Sequence, residues 1–244
     1  RYAVLMPEAR LDGGKTIAND SIIGEAVEYY NGSNDRAMQA RALILRGRVN
    51  EDLGNLEDAV DCYHHAEDIA QNTDNNLLVD AKMKLGKLYH NQIVGANTIA
   101  LDKYREALPL IKASGDREKE LTCLSEMGSI YRGISHHGDS AAMCLNDAIA
   151  LARQLGNKRT ERSCLFLLAE YYCEIAHDYE RGKALAQQSL AIDDRHPRAH
   201  YCLALCYLHL GQVDSARHCA ENSPERTTAV ELMWYYNTMS EIEK

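Results

Sequence analysis

The octet from Ala9 to Thr16, ARLDGGKT, has the residue types of a nucleotide-phosphate loop. In such a loop the glycines let backbone N–H groups curl around phosphates. A lysine placed like Lys15 reaches the β/γ-phosphates, and a hydroxyl placed like Thr16 ligates Mg²⁺. A second set lies far downstream, where Cys202, Cys206 and His209 stand at i, i+4 and i+7 on one helical face. Thiolate and imidazole are zinc donors, but a structural site takes four ligands and no fourth stands out, so ordinary packing is expected there. His196 and His200 are also four apart, yet His196 precedes Pro197 and is expected at a helix start. His136 and His137 read as an exposed turn. Carboxylates such as Glu57, Asp58, Glu67 and Asp68 fall at regular helical positions and read as solvated faces, with no nucleophile and base paired among them. The expectation is no catalytic residue, no metal ligand and no cofactor.

A phosphate loop works only between a buried parallel strand and the N-terminus of a helix, which aim it and supply positive dipole. RYAVLM, just upstream, is short and strand-like, but no β-α alternation follows in which it could be buried. Helix signals begin at Asp20 rather than at Lys15. The octet is therefore expected to be a turn hinged at Gly13 and Gly14, and an NTP-binding enzyme built on Ala9–Thr16 is the weaker alternative.

Fourteen tyrosines against one phenylalanine and four prolines, with 45% hydrophobic residues in 244, favour helices with small residues at close contacts. A net charge of −9 argues against a nucleic-acid partner, which would need clustered Lys and Arg. No run approaches the roughly 18 apolar residues of a membrane span, so no direct membrane insertion by this segment is expected. Nothing at the N-terminus resembles a signal peptide, and a start at Arg1 fits a processed or excised segment. Eight cysteines without a CxxC pair favour a reducing, cytoplasmic compartment, a bacterial cell-envelope location being the alternative.

Sliding the chain against itself exposes a repeat. LILRGRVNEDLGNLEDAVDCYHHA, KMKLGKLYHNQIVGANTIALDKYREA, LSEMGSIYRGISHHGDSAAMCLNDA, LFLLAEYYCEIAHDYERGKALAQQS and CLALCYLHLGQVDSARHCAENS align. Each has a small residue before a usual tyrosine, a turn, and then a pattern of small, large and small. The first small residues are Gly47, Gly86, Gly128, Ala169 and Ala204, spaced by subtraction at 39, 42, 41 and 35. A period of that size means stacked supersecondary units. Small residues let two helices approach, and stacking gives each pair the burial it cannot reach alone.

On these residues the chain resembles the tetratricopeptide repeat family, best at Leu85, Gly86, Tyr89, Ala100, Tyr104 and Ala107. The first unit departs at Arg46 and Asn50, where Leu and Tyr are usual, and Ser189 replaces an alanine. The long units look like those of membrane-anchored or regulator-linked bacterial signalling proteins. The resemblance implies an all-α, right-handed superhelical solenoid of antiparallel helix pairs. Residues 1–32 would be a degenerate or truncated first pair, 33–223 five repeats, and 224–244 a capping helix or half repeat. It also implies a concave groove lined from the first helix of each pair. Carried over position by position, the groove takes Arg48, Lys84, Lys87, His90 and Arg132 in a polar, partly basic section, then Phe166, Glu170, Tyr201 and Leu205 in a more apolar one. Such a face suits a peptide or protein segment with acidic residues at one end and hydrophobic anchors at the other. The family's clamp for chaperone tails is not reproduced, because Glu126 and Ser129 follow the Lys84 and Lys87 unit. A structural spacer is the remaining alternative, and the oligomeric state is not legible.

Overall fold

The computed structural model describes residues 21–134 and 138–221, with 236, 237, 239, 240 and 242. The octet at 9–16, the Asp20 and Ser223 helix starts, His136, His137 and Trp234 lie outside the described residues. No strand occurs among the described residues.

The helices are α1 (Ser21–Asn31), α2 (Arg36–Leu53), α3 (Leu56–Ala70), α4 (Asn75–Gln92), α5 (Asn97–Ser114), α6 (Arg117–Arg132), α7 (Gly138–Leu155), α8 (Lys158–Glu174), α9 (Tyr179–Ile192), α10 (Pro197–His209) and α11 (Val213–Glu221). From α2 onward they pair as hairpins, and the first helices of the pairs begin the five repeats.

Local chemistry sets the ends. Asp35, Asp74, Asn157 and Asp178 each accept from backbone N–H groups in the first turn that follows. Gly54 closes α2 at φ 80°, and its N–H reaches the carbonyls of Asn50 and Glu51, a left-handed turn that other residues enter only with strain. His196, expected at a helix start, caps α10: Ala199 N–H donates to its Nδ1 at 3.2 Å, and Pro197 takes the first turn, where no N–H is needed.

The repeat signature is a rule of complementary size. A Cβ added at Gly47 would lie 2.5 Å from Tyr63 Cε1, at Gly86 2.8 Å from Tyr104 Cε2, and at Gly128 2.7 Å from Leu145 Cδ2. Where the first helix instead carries an alanine, as at Ala169 and Ala204, the second helix has Ala186 and Ala220 at the matching place, all four buried. Glycine admits a large partner and alanine admits alanine, so each pair closes to similar packing. Ser189, in place of an alanine, is fully buried and donates its hydroxyl to the Arg162 carbonyl at 3.1 Å.

The chain divides into two compact units between Cys123 and Leu124, inside α6. The core of the first is built from α1 to α4 around Ile23, Tyr30, Leu45, Val49, Tyr63 and Leu85. It also holds a buried ionic cluster. Glu67 pairs with Lys82 at 2.6 Å and Lys103 at 2.7 Å, and Lys82 pairs in turn with Glu106. In the second unit a core of Phe166, Ala169, Cys173, Ala186, Leu203 and Cys206 joins α8, α9 and α10.

Candidate functional site

In the first unit the first helices α2 and α4 touch, which brings Arg48 toward Lys84 and Lys87, one turn apart on α4. Lys84 is half-buried and Lys87 exposed. Among the described residues, neither has a carboxylate within ion-pair distance. Burial, with the charges of Arg48 and Lys87 close by, pushes the Lys84 ammonium below the usual lysine range, and Glu51 offsets only part of this. Glu51 itself accepts a hydrogen bond from the buried Tyr63 hydroxyl. His90, the fourth sequence candidate here, shares a 3.0 Å hydrogen bond between its Nδ1 and Asn97 Oδ1. The result is a small like-charged face that spends stability on crowding cations.

The second unit is arranged differently. Glu170 on α8 is buried and lies between two arginines, Arg132 of α6 at 3.0 Å and Arg198 of α10. Arg132 is thus matched by a carboxylate within its own unit and does not extend a basic strip. Phe166 is 4% exposed, its ring 4.7 Å from that of His196 and covered by the Arg198 guanidinium at 5.0 Å. It packs as core and offers little surface to a ligand. Tyr201 and Leu205 remain half-buried on α10. Glu174, one turn beyond Glu170, is exposed. Partial desolvation of its carboxyl, with Glu170 and Cys173 nearby, still pushes it above the usual carboxylate range.

Two features lie outside the groove candidates. A cavity of about 520 Å³ opens between α1, α2 and α3, lined among others by Gln39, Arg46, Asn50, Asp61 and His65. Arg46 and Asn50 are the two positions where the family's Leu and Tyr are missing, so that departure was the signal for the cavity. The second feature is a thiol cluster. Cys202 and Cys206 meet Cys173 of the preceding repeat, whereas His209, expected to share their face, stacks on Tyr179 at 4.2 Å between ring centroids. No helix among the described residues is long and apolar enough to cross a membrane.

The fold and the size rule define a class, that of helical-repeat proteins. A family model described as Tetratricopeptide repeat matches residues 175–231, so that stretch carries tetratricopeptide-repeat sequence and the remaining helix pairs share its fold. A comparison with curated proteins finds no match. Among solved structures, it is similar to a signal transduction ATPase with numerous domains, bearing a tetratricopeptide repeat sensor, from Pyrococcus horikoshii. That likeness has 16% identity and a TM-score of 0.77, covering 99% of this chain and 38% of that one. BtubC from P. vanneervenii is 18% identical at a TM-score of 0.67, covering 86% and 94%. A Rap protein complexed with Competence and Sporulation Factor is 15% identical at 0.60, covering 100% and 65%. At these identities the likeness is one of fold.

Proposed function

We propose that this chain is a scaffold that binds another protein or peptide segment and performs no reaction of its own. Its docking face is the cationic surface formed by Arg48, Lys84 and Lys87 on α2 and α4, and its ligand is an acidic segment. The observation that carries this reading is the crowding of three cations around Lys84, whose ammonium is held below the usual lysine range by burial first and then by Arg48 and Lys87, with neither lysine paired to a carboxylate among the described residues. An incoming carboxylate would relieve it, so binding gains both the new ion pair and the release of the repulsion. The Rap protein complexed with Competence and Sporulation Factor offers a precedent on a similar fold. Tyr201 and Leu205 in the second unit are proposed as apolar contacts for a partner. In this reading Phe166 and Glu170 support the Tyr201 and Leu205 surface within the second unit, and His90 flanks the lysines of the first.

Peptides selected from a random library against the native chain test the proposal. The expected result is enrichment in Asp and Glu, with affinity that falls as salt rises and drops about 10-fold to 100-fold in the Lys84→Glu/Lys87→Glu variant, as for loss of one or two desolvated ion pairs. A selection without acidic enrichment, or an unchanged affinity in a folded charge-reversed variant, would overturn it.

A further inference from the structure

Three thiols converge in the second unit from two helices. Cys173 lies in the last turn of α8, while Cys202 and Cys206 sit one turn apart on α10, and their Sγ atoms all lie within 4.8 Å of one another. All three are buried and none is in a disulfide. Free cysteines commonly pack as small hydrophobes, each among aliphatic neighbours. Here the sulfurs face each other instead. Room is kept for them by Gly182 on α9, where an added Cβ would come within 3.0 Å of Cys206 Sγ. Lys183, next to Gly182 on α9 and ion-paired with Glu180 at 2.7 Å, places a positive charge beside Cys206.

We propose that Cys173, Cys202 and Cys206 form a binding site for one thiophilic d¹⁰ cation, Zn²⁺ or Cu⁺. Sulfur is the donor that selects these ions. With Zn–S bonds of about 2.3 Å, tetrahedral geometry sets the thiolates about 3.8 Å apart, so small side-chain rotations suffice to close the cluster on a metal. Binding exchanges protons only: three S–H bonds break, three metal–sulfur bonds form, and three protons pass to solvent, with no electron transferred. The three-thiolate complex is anionic with either metal, and Lys183 lies where it offsets that charge. Cu⁺ is satisfied by three sulfurs, whereas Zn²⁺ takes a fourth donor, a water or the imidazole of His209 released from Tyr179.

The test is anaerobic titration of the fully reduced chain with Zn²⁺ and, separately, with Cu⁺, each in competition with a chromophoric chelator. Co²⁺ serves as a spectroscopic probe. One equivalent of either metal should be taken from its chelator, and the cobalt form should show thiolate-to-metal charge transfer of three-sulfur intensity. Cys173→Ser should weaken binding by more than the roughly 10-fold to 100-fold that loss of an outer hydrogen-bond partner costs. Cys219→Ser, outside the cluster, should bind like the native chain. Failure of both metals to leave their chelators overturns the proposal, as does native-like binding by Cys173→Ser. Should that variant not fold, a cobalt spectrum of the native chain without sulfur charge transfer does the same.

Discussion

Gly47 and Tyr63 face each other so closely that the missing methyl group of the first is the space filled by the ring of the second. A Cβ at residue 47 would sit 2.5 Å from Tyr63 Cε1, and the ring is fully buried with nowhere to retreat. Gly47→Ala should therefore destabilise the chain by about 1–3 kcal/mol, despite alanine's better helix propensity. Because the penalty is steric, it should shrink in a Tyr63→Ala background, where the pair copies Ala169 and Ala186. A double-mutant cycle by urea denaturation measures this. Additive effects of the two changes would contradict the size rule.

Glu67 concerns a different kind of fit. Burial pushes its carboxyl up, but hydrogen bonds from Lys103 and Lys82 prevail and hold it below the usual carboxylate range. Burial likewise pushes Lys82 down, and Glu106 and Glu67 prevail and hold it above the usual lysine range. The Glu67 contribution is thus present above the unfolded carboxylate pKa and is lost as pH falls through the lower folded value. The Lys82 contribution is present below the unfolded lysine pKa and is lost as pH rises through the higher folded value. Glu67→Gln, which leaves the buried Lys82 and half-buried Lys103 ammonium groups with one carboxylate between them, should cost about 3 kcal/mol at neutral pH. It should also flatten the acid limb of stability against pH, which chemical denaturation across a pH series reads directly.

His196 must keep Nδ1 unprotonated to accept from Ala199. Burial, followed by the charges of Arg162 and Arg198, holds its pKa below the usual histidine value. Its contribution is therefore complete above the unfolded histidine pKa and is lost as pH falls through the lower folded one. His196→Asn, which retains a capping acceptor, should remove this pH dependence at little cost. His196→Ala should cost about 1 kcal/mol at neutral pH. An NMR titration that found the His196 imidazole protonating above the ordinary histidine range would contradict the argument.

Lys84 is a place where stability and binding should part. Replacing it with methionine keeps the stem and removes a crowded charge, so Lys84→Met should raise stability by about 0.5–1 kcal/mol. The same change should weaken acidic-peptide binding. The gain should be largest at neutral pH and fade as pH rises through the depressed folded pKa, where native Lys84 loses its charge.

Much of the architecture was written in spacing. The positions of Gly47, Gly86 and Gly128 gave the repeat because close helix approach allows almost no other residue there. The partners of charged side chains were not written in the same way. Arg132 and Lys84 are both groove positions by repeat spacing, yet Arg132 meets Glu170 and Lys84 meets further cations, a difference made largely by residues one repeat away. The meeting of Cys173 with Cys202 and Cys206 was not written in spacing for the same reason. Spacing along one helix links Cys202 to Cys206 and misleads toward His209, whereas the third sulfur arrives from the preceding hairpin by packing alone. The cavity beside Arg46 and Asn50 was announced only as a departure from the family's residues.

The ion pairs of Glu170 bear on how such a chain can change over generations. Repeats that match in size look like interchangeable bricks, free to be duplicated or dropped. Glu170, however, takes one guanidinium from the repeat before its own and one from the repeat after. A lineage that gained or lost a single repeat at that point would bury a carboxylate beside the wrong neighbours. These three hairpins are therefore a single heritable block, open to substitution but closed to insertion.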